Sequence, residues 1–415
     1  MDTASKESLA KLTELLQSAE CVDLIVDWQT KMTSLKAMGP ESGGNGENTK
    51  AAWIQETLDE FKLSTHLVPA YDLRVTSGLR PNLITKIKGQ TSKTLWLFGH
   101  MDVVGAGDLA AWQHDPFTVQ RNGDWLTGRG VEDNQQAIVS MLLLAWAISR
   151  CQLTPNLNLG LAFMADEENG SRFGLEHLLK KVPEYFKPED IYIVPDSGSP
   201  DASKIEVAEK GQLWLKIDVI GHQCHASTPN KGENAFLAAA KLVTHLDQNL
   251  PKLFPEKNDL FDPNISTVVP TKHLANVEAI NIVPGREVFY LDCRLVPEVS
   301  PKQALEMISN LLQEHAQKLG VGLKIELVHM AEASSMDLHH PIIPKLKQAI
   351  NQVYGVEAKL VGIGVGTVAA LLRNIGLPAL VWACVENTCH TPNERSSISA
   401  TIKDSLVFAH LLFDD

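Results

Sequence analysis

From Asn82 onward the sequence alternates between two textures, and this alternation restricts the fold more than any other feature. Apolar runs of strand length at 94–98, 157–163 and 191–194 are separated by stretches with helical periodicity. That pattern predicts an α/β layer built on a mostly parallel sheet. Ligands of such a sheet gather beyond the carboxyl ends of its strands. Ahead of it, Leu9, Leu12, Leu15 and Leu16, then Val22, Ile25 and Val26, and later Trp53, Leu58 and Phe61 read as helical.

A second texture begins near Glu209. Leu213, Leu215, Ile217 and Val219 alternate with Trp214, Lys216 and Asp218, as in a sheet with one packed face. Helical stretches at 233–246 and 303–319 and a strand-like run at 287–293 complete this segment. A helical run at 343–353, apolar segments around Leu360 and Leu380, and a last helix from Ile398 return to the first texture. The expectation is one discontinuous α/β domain, 1–208 and 323–415, interrupted by an inserted α+β domain, 209–322. A chain of 415 residues is long enough for both.

Composition excludes several functions. A formal net charge of −13 and the lack of any Lys/Arg block argue against a nucleic-acid partner. The longest strongly apolar stretch, 137–148, contains Ser140 and is shorter than the roughly 18 to 20 residues that cross a bilayer, so it reads as a buried helix rather than a membrane span. The amino terminus shows no secretory pattern, and a cytoplasmic location is expected. Six cysteines without a C-x-x-C pair read as buried free thiols.

The chemistry collects in five short segments at strand ends or in the turns after them. In Leu97-Phe98-Gly99-His100-Met101-Asp102, a period-two backbone puts His100 and Asp102 on one side, so that the carboxylate can hold one ring nitrogen while the other meets a metal. In Gly128-Arg129-Gly130-Val131-Glu132-Asp133, Asp133 either caps the following helix or enters a cleft where its two oxygens can bridge two cations. In Ala165-Asp166-Glu167-Glu168-Asn169, adjacent carboxylates repel unless solvent or a cation offsets them. Asp196 follows an apolar strand, and His390 stands in Cys389-His390-Thr391-Pro392. Two histidines among carboxylates suit zinc, manganese or cobalt better than calcium.

Taken in order, these segments resemble the M20 family of metallopeptidases and deacylases, which includes acetylornithine deacetylase, succinyl-diaminopimelate desuccinylase, aminoacylase and several dipeptidases. The likeness runs from about Leu95 to the end of the chain. It implies a zinc-peptidase-like catalytic domain carrying two divalent ions, zinc with cobalt or manganese as alternatives. It further implies that His100 and Asp196 bind one ion, Glu168 and His390 the other, and Asp133 both. Asp102 would orient His100, and Glu167 would be the general base acting on a metal-bridging water. The insert would serve as lid and homodimer contact. Three further stretches match: Gly221 to Pro229, containing His225; Asn281 to Arg294; and Gly362 to Thr367.

By the same resemblance His225 would polarise the scissile carbonyl, Arg294 would grip a substrate carboxylate, and Gly364, Gly366 and Thr367 would line the substrate. Read as residues alone, Arg294 equally suits an internal salt bridge, the glycines suit a turn, and His222 competes with His225. The reaction implied is removal of an acyl group from an N-acyl amino acid. Cleavage by a metallo-dipeptidase or carboxypeptidase is the alternative, and a non-enzymatic scaffold ranks third. Asp196 stands where some deacylases carry glutamate, and Asn387-Thr388-Cys389 and Arg395 depart from the wording of the best-known members. Those departures bear on the substrate, which on either reading is a small acylated amino acid or a short peptide.

Overall fold

A computed structural model describes residues 3–414. The chain forms two compact units. The larger comprises the residues up to Val207, Met336–Leu360 and the residues from Thr367 on; the smaller comprises Ala208–Ser335 and Val361–Gly366.

In the larger unit the strands lie in the order Thr65–Leu67, Leu83–Ile87, Asn158–Met164, Thr94–His100, Ile191–Gly198, Ala379–Ala383 and Lys204–Glu209. The four strands from Asn158–Met164 to Ala379–Ala383 run parallel to their neighbours, and the flanking pairings are antiparallel. The fold is therefore α/β with a mixed sheet and a parallel centre. Helices cover these strands, which explains why Thr94–His100, Asn158–Met164 and Ala379–Ala383 are buried at every position instead of alternating. Gly160 belongs to this packing, because a Cβ there would come within 2.4 Å of the Trp96 ring. The apolar stretch at 137–148 lies in the helix Gln135–Arg150, which is buried on all sides from Gln135 to Ile148. No helix among the described residues is long and apolar enough to cross a membrane.

The smaller unit is an antiparallel sheet in the order Thr267–His273, Arg286–Leu295, Gly211–Ile220 and Gly322–Ala331, packed on the helices Ala235–Leu253 and Pro301–Leu319. Leu213, Leu215, Ile217 and Val219 face its core, as the alternation requires. The expected boundary at 322 falls too early. Gly322 opens a strand that pairs along the whole length of Gly211–Ile220, so its hydrogen bonds carry the unit on to Ser335. Residues 361–366 join it because Lys210 N–H donates to Ile363 O (3.0 Å) and Gly362 N–H to Leu260 O (2.6 Å).

Candidate metal centre

Three of the proposed ligands sit at or just beyond the carboxyl ends of the parallel strands. His100 ends Thr94–His100, Asp196 lies within Ile191–Gly198, and Glu168 is in the turn Glu167–Asn169 that follows Asn158–Met164. His390 comes from the loop after Ala379–Ala383, and Asp133 immediately precedes the helix Gln135–Arg150. Asp133 is not a helix cap. The N-cap residue is Asn134, and the Asp133 carboxylate points into the cluster.

The geometry divides about Asp133. Its Oδ1 lies 2.8 Å from His100 Nε2, and its Oδ2 lies 3.0 Å from His390 Nε2. Asp196 Oδ1 is 3.4 Å from His100 Nε2, whereas Glu168 Oε2 is 3.0 Å from His390 Nε2. His100, Asp133 and Asp196 thus form one candidate metal-binding group, and Asp133, Glu168 and His390 a second, each with ligand atoms within 4.8 Å of one another. One carboxylate shared by two nitrogen-and-oxygen donor sets is an arrangement suited to a pair of transition-metal ions.

The electrostatics agree with that use. Hydrogen bonds donated to Asp133 and Glu168 raise the His390 imidazole to about 10, and burial pushes the Glu167 carboxyl well above its ordinary range, with Asp196 adding to the shift. The cluster draws in positive charge. Divalent ions would meet that demand, leaving both imidazoles neutral and free to ligate. The Glu167 carboxyl lies within the field of His100, Asp196 and Glu168, the neighbourhood in which the candidate base is expected.

Asp102 does more than its spacing suggested. His100 Nδ1 donates to the Asp102 backbone oxygen (3.0 Å), with the Asp102 carboxylate farther off at 3.5 Å. That buried carboxylate also accepts the N–H groups of Glu167 (3.0 Å) and Glu168 (3.1 Å), holding the turn that carries the candidate base and a candidate ligand. Asn134 is a further link the sequence did not reveal: Nδ2 donates to Asp196 Oδ1 (2.5 Å) and to Pro195 O (3.1 Å), and Oδ1 accepts from His100 N–H (3.2 Å).

Two acids outside the ligand set hold the ligand loops reciprocally. Glu394, four positions past His390, accepts from the backbone N–H groups of Gly130, Glu132 and Asp133 at 2.9–3.0 Å and from Arg129 Nη1 at 2.6 Å. Glu132, next to Asp133, accepts from Asn387 N–H (2.8 Å), Thr388 N–H (2.6 Å) and the Thr388 hydroxyl (2.5 Å). Each loop presents a candidate ligand and fixes the other loop. Thr388 and Arg395, which set this sequence apart, are parts of that frame; Arg395 pairs with Glu386 (2.8 Å) and lies over Trp125. The cysteines are all free, and the expectation of burial holds at Cys21, Cys293 and Cys384, whereas Cys151 and Cys224 are half-buried and Cys389, on the His390 loop, is exposed.

The remaining candidates lie elsewhere in the two units. In the smaller unit, exposed His225 accepts a hydrogen bond on Nδ1 from Ser227 N–H (3.1 Å), and Asn281 Nδ2 lies 3.4 Å from its Nε2. His222 has its backbone paired with Glu233. Arg294 does form the internal salt bridge, giving Nε and Nη2 to Asp292 (2.7 and 3.1 Å), while Nη1 donates to Gly364 O (2.9 Å). Gly366 lies against Gln212. In the larger unit, Thr367 caps the helix Val368–Arg373 through Ala369 N–H.

Comparison with known proteins agrees with this architecture. The pattern of Peptidase family M20/M25/M40 matches residues 96–414. An uncharacterized metallohydrolase of Methanococcus maripaludis is 35% identical over 94% of this chain and 99% of its own length. A succinyl-diaminopimelate desuccinylase of Paracoccus denitrificans is 25% identical, covering 76% of this chain and 81% of that protein. Human carnosine dipeptidase 1 shares the fold with a TM-score of 0.75 at 15% identity, covering 98% of both chains. The chain belongs to Peptidase family M20/M25/M40 and is a metal-dependent hydrolase.

Proposed function

We propose that the chain hydrolyses an amide bond in a short peptide, as a dipeptidase or carboxypeptidase does, with N-acyl amino acids as the second reading. The observation that carries amide hydrolysis is Asp133 held between two imidazoles, with the unligated Glu167 carboxylate beside them. Two divalent ions held there, with zinc the first choice, would polarise a carbonyl and bring a water's pKa to about 7. Glu167 takes the proton from the attacking water as its oxygen bonds to the carbonyl carbon. It then delivers that proton to the nitrogen as the C–N bond breaks. Peptides rank ahead of acyl amino acids because the fold is shared with human carnosine dipeptidase 1 over 98% of both chains, while Asp196, the 387–389 wording and Arg395 depart from some deacylases. The desuccinylase relative supports the second reading.

His225, Arg294, Gly364, Gly366 and Thr367 enter as substrate contacts on the strength of the sequence resemblance. Two of the five N–H groups of Arg294 are uncommitted and suit a substrate carboxylate. The same resemblance supports the smaller unit as lid and dimer contact. A panel of dipeptides, tripeptides and N-acyl amino acids, assayed after chelation and re-addition of zinc, cobalt or manganese, tests the proposal. Turnover of peptides above acyl amino acids is expected; turnover of acyl amino acids alone overturns the ranking, and none with any metal overturns the activity.

A further inference from the structure

Lys50 is the least expected side chain of the larger unit. It lies on the helix Asn48–Glu60, is fully buried, and its Nζ has no hydrogen-bond partner. An ammonium removed from water without a partner is costly unless nearby charge offsets the loss. Burial lowers this group to about 8, while the carboxylates of Asp102, Glu47 and Glu394 act in the opposite sense. All three of those carboxylates are fully buried as well.

Two of the three have a direct cation. Glu47 is bound by Arg80 through Nε (2.7 Å) and Nη2, and Glu394 by Arg129. Asp102 has only the His100 imidazole, which is neutral once its Nε2 ligates a metal. The position of Lys50 three residues after Glu47 puts both on one helix face. From that face Glu47 Oε1 accepts Asp166 N–H (3.3 Å), while Asp102 accepts the N–H groups of Glu167 and Glu168. Two carboxylates within the field of Lys50 therefore hold three consecutive amides of the turn bearing the base and a ligand. Asp166 adopts a left-handed backbone there (φ 63°), so the turn depends on those bonds for its shape.

We propose that Lys50 is a positioning residue, a buried cation that balances Asp102 and Glu47 and so keeps the Glu167–Glu168 turn in place for metal binding. The inference rests on the metal-centre reading above. Without Lys50, the buried Asp102 and Glu47 carboxylates lose the cation that offsets them, and the amides of Asp166, Glu167 and Glu168 that they accept lose their fixed position.

The test is a double-mutant cycle with Lys50→Met, which retains the aliphatic stem, and Asp102→Asn, read in two ways. Zinc affinity is measured by competition with a chromogenic chelator, and thermal unfolding is measured on the metal-free proteins. Wild type should bind two zinc ions, and Lys50→Met should weaken at least one of them by about ten- to a hundredfold. In the Asp102→Asn background the same change should lose most of its effect, and the metal-free double variant should melt above Lys50→Met alone. Unchanged zinc affinity in Lys50→Met, an equal penalty in both backgrounds, or a double variant no more stable than the single overturns the assignment. Failure of wild type to bind two ions would instead count against the metal-centre reading, and the metal-free melting cycle would still decide the role of Lys50.

Discussion

The two flanks of the candidate centre are built differently. On one, His100 is 2% exposed and stands with Asp196 at adjoining strand ends, with Asn134 bonded to both. On the other, His390 is 53% exposed and comes from a loop held by the clamps of Glu132 and Glu394. Sheet hydrogen bonding fixes the first flank; a set of side-chain-to-backbone bonds fixes the second. The buried flank should hold its ion more tightly and the exposed flank should exchange with solvent, because water and chelators reach it first.

Removal of the histidines tests that asymmetry most severely. His100→Ala should abolish measurable turnover and leave at most one ion bound, with a lower melting temperature, since it also opens a cavity at the end of a central strand. His390→Ala should abolish turnover too, yet retain one ion and most of the stability. Metal analysis and thermal unfolding of both variants decide this, and equal losses would erase the distinction between the flanks.

Glu167→Gln comes next. It should retain both ions while kcat falls by about 10²–10⁴-fold, because a proton acceptor is lost and no ligand is. Metal content and single-turnover rates separate the two effects; loss of an ion in this variant would make Glu167 a ligand. The smallest effects belong to the clamps. Glu132→Gln should loosen the ion on the His390 flank by about ten- to a hundredfold and leave the other nearly unchanged, as supporting groups around metal ligands do. Glu394→Gln holds the Asp133 loop and should weaken both ions. Chelator competition on each variant would detect the reverse order, which would contradict the loop assignments.

The pattern of what the sequence revealed follows the same divide. The strand ends carrying His100, Glu167 and Asp196 were legible because short apolar runs mark the strands and the polar residues follow directly. Glu132 and Glu394 were not, since their partners are backbone N–H groups with no sequence signature, lying as much as 264 residues away. Lys50 was hidden for a different reason: a lysine on a helix reads as solvent-facing, and only tertiary packing shows it buried among carboxylates. Asp102 was found at its place beside His100, but its second role was not, because period-two spacing says which side a residue faces and not which amides it accepts. The end of the insert was misplaced because Gly320 and Gly322 mark the end of the helix Pro301–Leu319 and not of the unit; the next strand, Gly322–Ala331, belongs to it through a pairing only the sheet reveals.

The central claim is that one carboxylate, Asp133, serves two ions of unequal accessibility. Anomalous diffraction at the zinc edge from crystals of the reconstituted protein, collected before and after a brief chelator soak, tests it directly. Two peaks should appear, one beside each oxygen of Asp133, and the peak next to His390 should fade first. A single peak, peaks away from Asp133, or earlier loss of the ion at His100 would contradict the account.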